Sequence, residues 1–349
     1  MKNIVDQFNI KGKVTSIQPL GAGLINDTFK VSTEGNSPDY VLQKINHHIF
    51  TDVELLQHNI EAVTGHIRNK LLSAGETDID RKVLRFITLK DSTKTYFYDG
   101  ESYWRTSVFI EDSVTPNEVN PEISFTTGRA IGQFEDMLTD LKEPLGETIP
   151  DFHNMELRSR QLKEAANNDA AKRMADPEVR KILSFLQEYD YEMCKAERMF
   201  REGLLQKKIC HCDSKINNIL LDKKGNFLCV IDLDTAMPSF IFSDVGDFIR
   251  SGAATVSEDC PEIDRVGFRK EIYDAFVEGY RETASFLTPV EIENLPYSAR
   301  LFPYMQAVRF FADYLNGDVY YKIKYPEHNL IRTKNQIALF VDATKKLCK

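Results

Sequence analysis

Residues 211–218 of this 349-residue chain read His-Cys-Asp-Ser-Lys-Ile-Asn-Asn, and the apolar run Ile219-Leu220-Leu221 follows directly. Further along, Val230-Ile231-Asp232-Leu233-Asp234 forms a second short apolar run that passes into acidic residues. Both runs have the length and the aliphatic residues that are typical of β-strands. We therefore expect a strand hairpin in which Asn218 precedes the first strand and Asp232 ends the second.

Four side chains in and beside this hairpin have the chemistry that phosphoryl transfer requires. Phosphoryl transfer needs a carboxylate for the acceptor hydroxyl, a cation near the transferred phosphate and oxygen ligands for magnesium. Asp213 and Lys215 supply the first two groups and are the candidate catalytic residues. Asn218 and Asp232 are the candidate metal ligands, because hard oxygen donors suit magnesium rather than a soft metal. The alternative, a solvated loop with incidental acids and amides, fits the apolar surroundings poorly.

The N-terminal third of the chain has the pattern of β-strands. Segments of strand length with many β-branched and aromatic residues predict strands at 13–20, 28–33, 40–46, 82–89 and 103–110. One helix is expected after the third strand, at 51–73, where Thr51 and Asp52 can act as caps. The dipeptide Asp99-Gly100 between two aromatic runs predicts a hairpin turn.

The remainder of the chain has helical periodicity. Apolar residues at three- and four-residue spacing predict helices at 121–141, 176–202, 262–285, 289–316 and 332–346. A further short helix is expected at 243–252. The acidic, turn-rich segment 111–115 marks the boundary, so we predict an α+β fold with two lobes. Residues 1–112 would form a small β-rich lobe and residues 113–349 a large, mainly helical lobe.

Composition excludes several classes of protein. The chain has 42% hydrophobic and 28% charged residues, which is close to the globular average and argues against general disorder. Its formal net charge is −9, so a nucleic-acid partner is not expected. The N-terminus lacks the apolar run of a signal peptide, and no stretch approaches the roughly 18 uncharged apolar residues of a membrane helix. We expect no membrane association.

The six cysteines indicate a reducing compartment. They are spread along the chain without CxxC spacing, so a disulfide scaffold is not expected and the cytoplasm is the predicted location. Cys210-His211-Cys212 could suggest zinc. However, alternating positions on a short strand point to opposite faces and no second ligand pair follows, so a cysteine-bound metal is disfavoured.

The block at 211–218 and the acids at 232–234 resemble the catalytic loop and the metal-binding aspartate of the aminoglycoside phosphotransferase and choline kinase family. That family is itself similar in fold to protein kinases. Within it, the chain looks most like the anomeric sugar kinases that act on N-acetylhexosamines. The resemblance spans nearly the whole chain; its further stretches are Tyr40–Asn46, Tyr103-Trp104-Arg105, Asp232–Pro238, Asp244–Arg250 and Arg309–Tyr320.

The resemblance implies roles for individual residues. Asp213 would be the catalytic base, and Asn218 and Asp232 would hold magnesium. The nucleotide contacts it implies are Gly21, Gly23, Lys44, Phe109 and Glu111. The glycines lie in the loop 21–26, whose backbone amides could approach phosphates because glycine lacks a Cβ; a simple hairpin turn is an equally good local interpretation.

Lys44 would pair the α and β phosphates in this family pattern, although an exposed strand lysine is the plain alternative. Its partner in the following helix could be Glu54 or Glu61, and the sequence leaves that choice open. Asp244 and Asp247 begin the short helix at 243–252. Acidic residues there can cap free amides, and the resemblance implies that one of them braces the catalytic loop.

The resemblance also implies substrate contacts from Asp213, Asp234, Arg309 and Tyr320. For Arg309 the alternative is a surface ion pair with Asp313, four residues further along the helix. For Tyr320 it is a core aromatic beside Tyr321.

Taken together, the residues predict a kinase that uses ATP and Mg²⁺, and the resemblance implies that it phosphorylates the anomeric hydroxyl of an N-acetylated hexose (N-acetylglucosamine or N-acetylgalactosamine). One alternative within the fold is a kinase for choline, an amino alcohol or an aminoglycoside, whose cationic acceptor Arg309 would repel. Another is a nucleotide-binding pseudokinase scaffold, which would not need Asp213, Lys215, Asn218 and Asp232 together.

Overall fold

Two structural units make up the chain in the computed structural model, which describes residues 1–21 and 25–348. Unit 1 comprises Met1–Pro116, Met137–Pro150 and Asn217–Pro238. Unit 2 comprises Asn117–Asp136, Asp151–Ile216 and Ser239–Lys349. Gly23, one of the predicted nucleotide contacts, lies outside the described residues.

Unit 1 contains a five-stranded antiparallel sheet. Its strands are β1 (Val14–Pro19), β2 (Asp27–Thr33), β3 (Tyr40–Ile45), β4 (Tyr96–Tyr98) and β5 (Tyr103–Val108), in the order β1-β2-β3-β5-β4. The turn between β4 and β5 contains Gly100 at φ 100°, a left-handed conformation that glycine adopts without steric cost. The predicted Asp99-Gly100 hairpin is confirmed.

The two faces of this sheet differ in chemistry. One face carries Tyr40, Leu42 and Trp104, which pack with Val5 and Phe8 of the N-terminal segment into a hydrophobic core. Burying each such side chain contributes about 1.5–3 kcal/mol. Side chains alternate along a strand, so the next residues, Gln43 after Leu42 on β3 and Arg105 after Trp104 on β5, lie on the opposite face. The ladder pairs these two residues with each other.

Helices and a second sheet complete unit 1. The helices are α1 (Lys2–Val5), α2 (Val53–Ser73) and α3 (Ile79–Lys82). The side chain of Asp52 caps α2 by accepting from the Leu55 backbone amide at 2.9 Å, as the sequence predicts. A three-stranded sheet consists of β6 (Ser113–Val114), β8 (Ile219–Asp222) and β9 (Phe227–Val230), in the order β6-β8-β9.

The strand predicted at 82–89 is wrong. Lys82 ends α3, and the rest of the segment makes only isolated bridges, between Phe86 and Ser107 and between Phe8 and Leu89. The physical reason is that β4 already pairs with Tyr103–Arg105, the first half of β5, which is also the strand that Phe86 contacts. The segment therefore meets only the end of β5 before it turns to the N-terminal residues, and no continuous ladder forms.

Unit 2 is mainly helical. Its elements are α4 (Pro121–Met137), α5 (Met155–Asn168), α6 (Pro177–Met193), α7 (Lys195–Arg201), β7 (Lys208–Cys210), α8 (Phe242–Gly252), α9 (Lys270–Thr283), α10 (Pro289–Glu293), α11 (Leu295–Asn316) and α12 (His328–Leu347), while β10 (Met237–Ser239) crosses the unit boundary. The single helices predicted at 176–202 and 289–316 are each two helices. Helix α5 was not predicted.

Helix α11 is buried along most of its length and packs against α5, α8 and α12. Its approach to α8 depends on Gly246, because a Cβ at that position would lie 2.1 Å from the Phe302 ring. The contact therefore requires a residue without a side chain.

The predicted fold class is confirmed: unit 1 is small and built on an antiparallel sheet, and unit 2 is larger and helical. The structural units differ from the linear division at residue 112, since unit 1 also takes up 137–150 and 217–238. None of the described helices is long and apolar enough to cross a membrane.

Candidate active site

The β8–β9 hairpin brings the two candidate metal ligands to one end in unit 1. Ile219 pairs with Val230, and the Ile231 amide donates to the Asn218 carbonyl oxygen at 2.9 Å, so Asn218 and Asp232 flank the open end of the ladder. Asp232 has φ 61° and ψ 56°, a left-handed conformation that aspartate tolerates better than most residues. Asn218 is buried and Asp232 is exposed. The hairpin predicted from the sequence is present.

Asp234 lies in a buried polar network within unit 1. Its Oδ1 lies 2.5 Å from Arg105 Nη2, and its Oδ2 accepts from Asn26 Nδ2 at 2.6 Å. Its backbone carbonyl accepts from the Thr148 hydroxyl at 2.8 Å. Only 5% of the Asp234 side chain is exposed. On this geometry its carboxylate serves contacts inside unit 1, and the predicted contact with a substrate stays a prediction.

The structure places Lys44 on the same sheet face as Trp104, with Nζ 6.0 Å from the indole ring centroid. Neither Glu54 nor Glu61 forms an ion pair with it among the described residues. The Glu61 carboxylate instead accepts from the Thr95 hydroxyl. The described contacts of Lys44 thus include none with the turn at Asp232. Its role in nucleotide binding stays a prediction.

Phe109 and Glu111 lie just after β5. The Phe109 amide donates to the Asp39 carbonyl oxygen at 2.9 Å, and Lys30 Nζ stands 4.1 Å from the centroid of its ring. The exposed Glu111 offers its carbonyl oxygen to Arg81. Both roles in nucleotide binding stay predictions.

In unit 2, Asp244 of α8 braces the loop that precedes Asp213. Its carboxylate accepts from the His211 amide at 2.7 Å and from the Cys212 amide at 2.6 Å. Cys212 has φ 62°, an uncommon conformation for this residue type. The two hydrogen bonds hold this left-handed residue in place and thereby fix the direction in which the chain enters Asp213. The brace that the family resemblance implies is therefore present at Asp244.

Asp213 and Lys215 form an ion pair, and both side chains are partly exposed. Burial acts to lower the pKa of Lys215, but the carboxylates of Asp247 and Asp213 outweigh it and raise the pKa above its ordinary value. Lys215 therefore stays charged at neutral pH. Asp247 also faces Arg250, at 3.6 Å between Oδ1 and Nη2. Burial raises the pKa of Asp247, although these cations oppose that effect.

A second buried acid, Glu135 of α4, lies near Asp244. It lies within 4.8 Å of Asp244 and Cys210, and it accepts a hydrogen bond from the Tyr280 hydroxyl. Burial, followed by the charge of Asp244, raises the pKa of Glu135 well above its ordinary value. Burial raises the pKa of Asp244 as well, but Asp244 accepts two backbone hydrogen bonds, so we expect it to be the better anion of the two and Glu135 to hold the proton.

Glu135→Gln tests this assignment through the pH dependence of stability. The unfolded chain releases the Glu135 proton near the ordinary pKa of 4.5, whereas the folded protein retains it to higher pH. The folded state then binds more protons, so its stability falls as pH rises. Above about pH 5, and until the folded carboxyl ionises, wild type should lose about 1.4 kcal/mol per pH unit relative to Glu135→Gln.

Urea unfolding of wild type, Glu135→Gln and a control, Glu122→Gln, at several pH values measures this difference. Glu122 is exposed in the first turn of the same helix, and its variant should follow wild type. Parallel curves for wild type and Glu135→Gln would show that Glu135 is ionised in the folded protein.

Arg309 of α11 does not pair with Asp313. Arg309 Nη1 donates to Gln306 at 3.2 Å, and its guanidinium lies 5.7 Å from the Tyr321 ring centroid. The carboxylate of Asp313 instead accepts from the backbone amides of Val319, Tyr320 and Tyr321. Asp313 therefore holds the chain segment that follows α11. Arg309 has no carboxylate partner in the described part of the chain.

Tyr320 is 70% exposed and is therefore not a core aromatic. Its ring meets that of Tyr321 edge-on at 4.8 Å, and Tyr321 itself is only partly exposed. Roles of Arg309 and Tyr320 in substrate binding stay predictions.

Sequence reasoning missed two basic residues near Arg309, His153 and Arg158. The pKa of His153 is well below its ordinary value, because of burial and then the charges of Arg309, Arg158, Arg250 and Lys215. The Nδ1 atom of His153 is enclosed and has no hydrogen-bond partner among the described residues. Arg158 donates to the Phe152 carbonyl oxygen at 2.7 Å. These residues lie on a loop and on the unpredicted helix α5, so no spacing pattern linked them to α11.

Sequence reasoning also missed Arg105 and Glu135 as members of these clusters. A signal was available for both, since each is a charged residue directly after a large aromatic residue, Trp104 or Phe134. Such residues are seldom buried unless they are paired.

The model of the phosphotransferase enzyme family matches residues 16–286. Among solved structures, the chain is similar to an aminoglycoside phosphotransferase from Alicyclobacillus acidocaldarius, with 15% identity, a TM-score of 0.63, and coverage of 99% of this chain and 96% of that one. It is also similar to choline kinase from Cryptosporidium parvum, with 15% identity, a TM-score of 0.60, and 99% and 94% coverage.

A third similar structure is spectinomycin phosphotransferase in complex with ADP and spectinomycin, with 13% identity, a TM-score of 0.56, and 98% and 96% coverage. At these identities the solved structures show a shared fold.

Proposed function

The chain belongs to the phosphotransferase enzyme family, and from this premise we propose that it is a kinase that transfers the γ-phosphoryl group of ATP to the anomeric hydroxyl of an N-acetylhexosamine. Asp213 accepts the proton of the acceptor hydroxyl. The anomeric hydroxyl suits a carboxylate base, because the ring oxygen makes it more acidic than an ordinary alcohol. Lys215, which pairs with Asp213 and stays charged, provides positive charge near the transferred group.

Asn218 and Asp232 would hold Mg²⁺. The test of fit is the donor set: both side chains offer hard oxygen ligands and both flank the same end of the β8–β9 hairpin. When bound, magnesium neutralises charge on the phosphate oxygens. The left-handed conformation of Asp232 directs the chain away from the strand at this point, as strained residues at functional sites often do.

One observation carries the choice of acceptor: how the cations of unit 2 whose charges lower the pKa of His153 are themselves paired. Lys215 pairs with Asp213, and Arg250 pairs with Asp247 and Glu258. Arg309, in contrast, has only the neutral Gln306 as its hydrogen-bond partner in the described part of the chain. An unneutralised guanidinium favours an acceptor with oxygen groups and opposes a cationic amine. This supports a sugar over choline, an amino alcohol or an aminoglycoside.

Arg309→Leu separates these acceptor classes. The KM for an N-acetylhexosamine should rise about tenfold to a hundredfold, since a charged donor to a ligand oxygen is lost. The KM for ATP should change little. An amine kinase would respond in the opposite direction, because removal of a positive charge favours a cationic acceptor.

Steady-state kinetics with one N-acetylhexosamine and with choline, on wild type and variant, make this comparison, and phosphorus NMR of the product identifies the phosphorylated hydroxyl. Arg281→Leu, an exposed arginine on α9, is the matched control and should behave as wild type. An unchanged sugar KM in Arg309→Leu would remove the support that this residue gives to the sugar acceptor.

A further inference from the structure

Arg105 is a buried charge in the middle of a sheet strand of unit 1. Only 2% of its side chain is exposed. Nη2 lies 2.5 Å from Asp234, and Nε donates to Gln43 Oε1 at 2.9 Å. The remaining nitrogen, Nη1, is buried and has no hydrogen-bond partner among the described residues. A buried guanidinium nitrogen without an acceptor is costly, so the arrangement calls for a reason other than stability.

The network joins three segments of unit 1. Asn26 ends the candidate phosphate loop; its Oδ1 accepts from the Asn46 amide at 2.9 Å and its Nδ2 donates to Asp234 at 2.6 Å. Arg105 belongs to the sheet. Asp234 belongs to the short 3-10 helix Leu233–Thr235, for which Asp232 is the N-cap residue. The Asp234 carboxylate therefore ties Asn26 and the sheet to the turn that carries a candidate metal ligand.

Stability alone does not account for this network. Replacement of a buried ion pair by well-packed apolar residues is often neutral or stabilising, because desolvation offsets the attraction between the charges. A bridge that fixes the relative position of distant segments is, in contrast, a recurrent use of buried polar groups.

Lys44, the lysine of β3, lies on the face of the sheet opposite the Asp234 network. Lys44 pairs with Trp104 in the ladder and shares its face, whereas Gln43 pairs with Arg105 on the face of the Asp234 network. A one-residue offset along a strand reverses the side of the sheet. Lys30 of β2 shares the face of Gln43 and Arg105 but pairs with Asp39, so Arg105 is the cation of this face that contacts Asp234.

We propose that Arg105 is a positioning residue for the magnesium–nucleotide complex: by holding Asp234 it sets the place of Asp232 relative to Asn26 and the sheet. The inference rests on the proposed kinase function, but it concerns nucleotide binding only and does not depend on which acceptor is used.

The test is equilibrium binding of ADP, with and without Mg²⁺, to the full chain in the absence of any acceptor. Arg105→Met alone leaves Asp234 buried without its cation, so the main variant is Arg105→Met with Asp234→Asn, which removes both charges. The Kd for Mg·ADP should rise about tenfold to a hundredfold, and the Kd for metal-free ADP should rise by less than about threefold. Arg105→Lys keeps the charge but cannot bridge Gln43 and Asp234 together, and it should restore only part of the affinity.

Arg85→Met is the matched control, because Arg85 pairs with Asp80 at 3.0 Å in the same unit but on its surface. It should bind as wild type does. Equal losses with and without magnesium would indicate general loosening and overturn the inference, as would wild-type affinity in both Arg105 variants. A larger loss in Lys44→Met than in the Arg105 variants would also overturn it. If wild type itself binds no Mg·ADP, the proposed function fails, a result distinct from all of these.

Discussion

Asp213→Asn is expected to reduce turnover about a hundredfold to ten-thousandfold, the usual cost of removing a general base. The substitution keeps the shape of the side chain and removes its charge. The brace beneath the loop consists of bonds from the His211 and Cys212 amides to Asp244, so it does not involve the Asp213 side chain. The fold and the affinity for nucleotide should therefore remain close to those of wild type.

Single-turnover measurements with saturating ATP and a sugar acceptor isolate this step. The matched control is Asp274→Asn, which breaks another aspartate–lysine pair of unit 2, with Lys270 on the surface of α9. That variant should keep full turnover. An Asp213→Asn enzyme with a third of the wild-type rate would exclude Asp213 as the base.

Asp232→Asn is expected to weaken magnesium-dependent nucleotide binding and to lower turnover by roughly a hundredfold or more, because the carboxylate charge at the metal is lost. Asparagine tolerates the left-handed conformation seen at φ 61°, whereas alanine would add backbone strain. The asparagine variant therefore separates metal chemistry from local folding.

Titration of Mg²⁺ against a fixed concentration of ADP measures the metal affinity directly. Asp78 is the control, since it is also a left-handed aspartate of unit 1, at φ 59°, but is exposed and pairs with Arg81. Asp78→Asn should leave the titration unchanged. If Asp232→Asn and wild type gave the same titration, Asp232 would not be a ligand.

Local patterns in the sequence were sufficient to predict several of the strands, turns and helices of this protein. Two short apolar runs after 211–218 predicted the β8–β9 hairpin, and the ladder brings Asn218 and Asp232 to its open end. The Asp99-Gly100 turn and the helix at 53–73 followed from the same kind of evidence. Turns, caps and periodicity depend on residues close together in the chain, so the sequence displays them directly.

The tertiary structure decided which distant groups share a cluster. Asn26 and Asp234 are 208 residues apart in sequence, and nothing in either neighbourhood indicates the other. The face of β3 that carries Lys44 depends on strand register, which packing against Trp104 and the N-terminal segment determines. Glu135 gains its raised pKa first from burial and then from the charge of Asp244, which belongs to a different helix. Ionisation and pairing depend on burial and on neighbours contributed by other segments, and these exist only once the chain has folded.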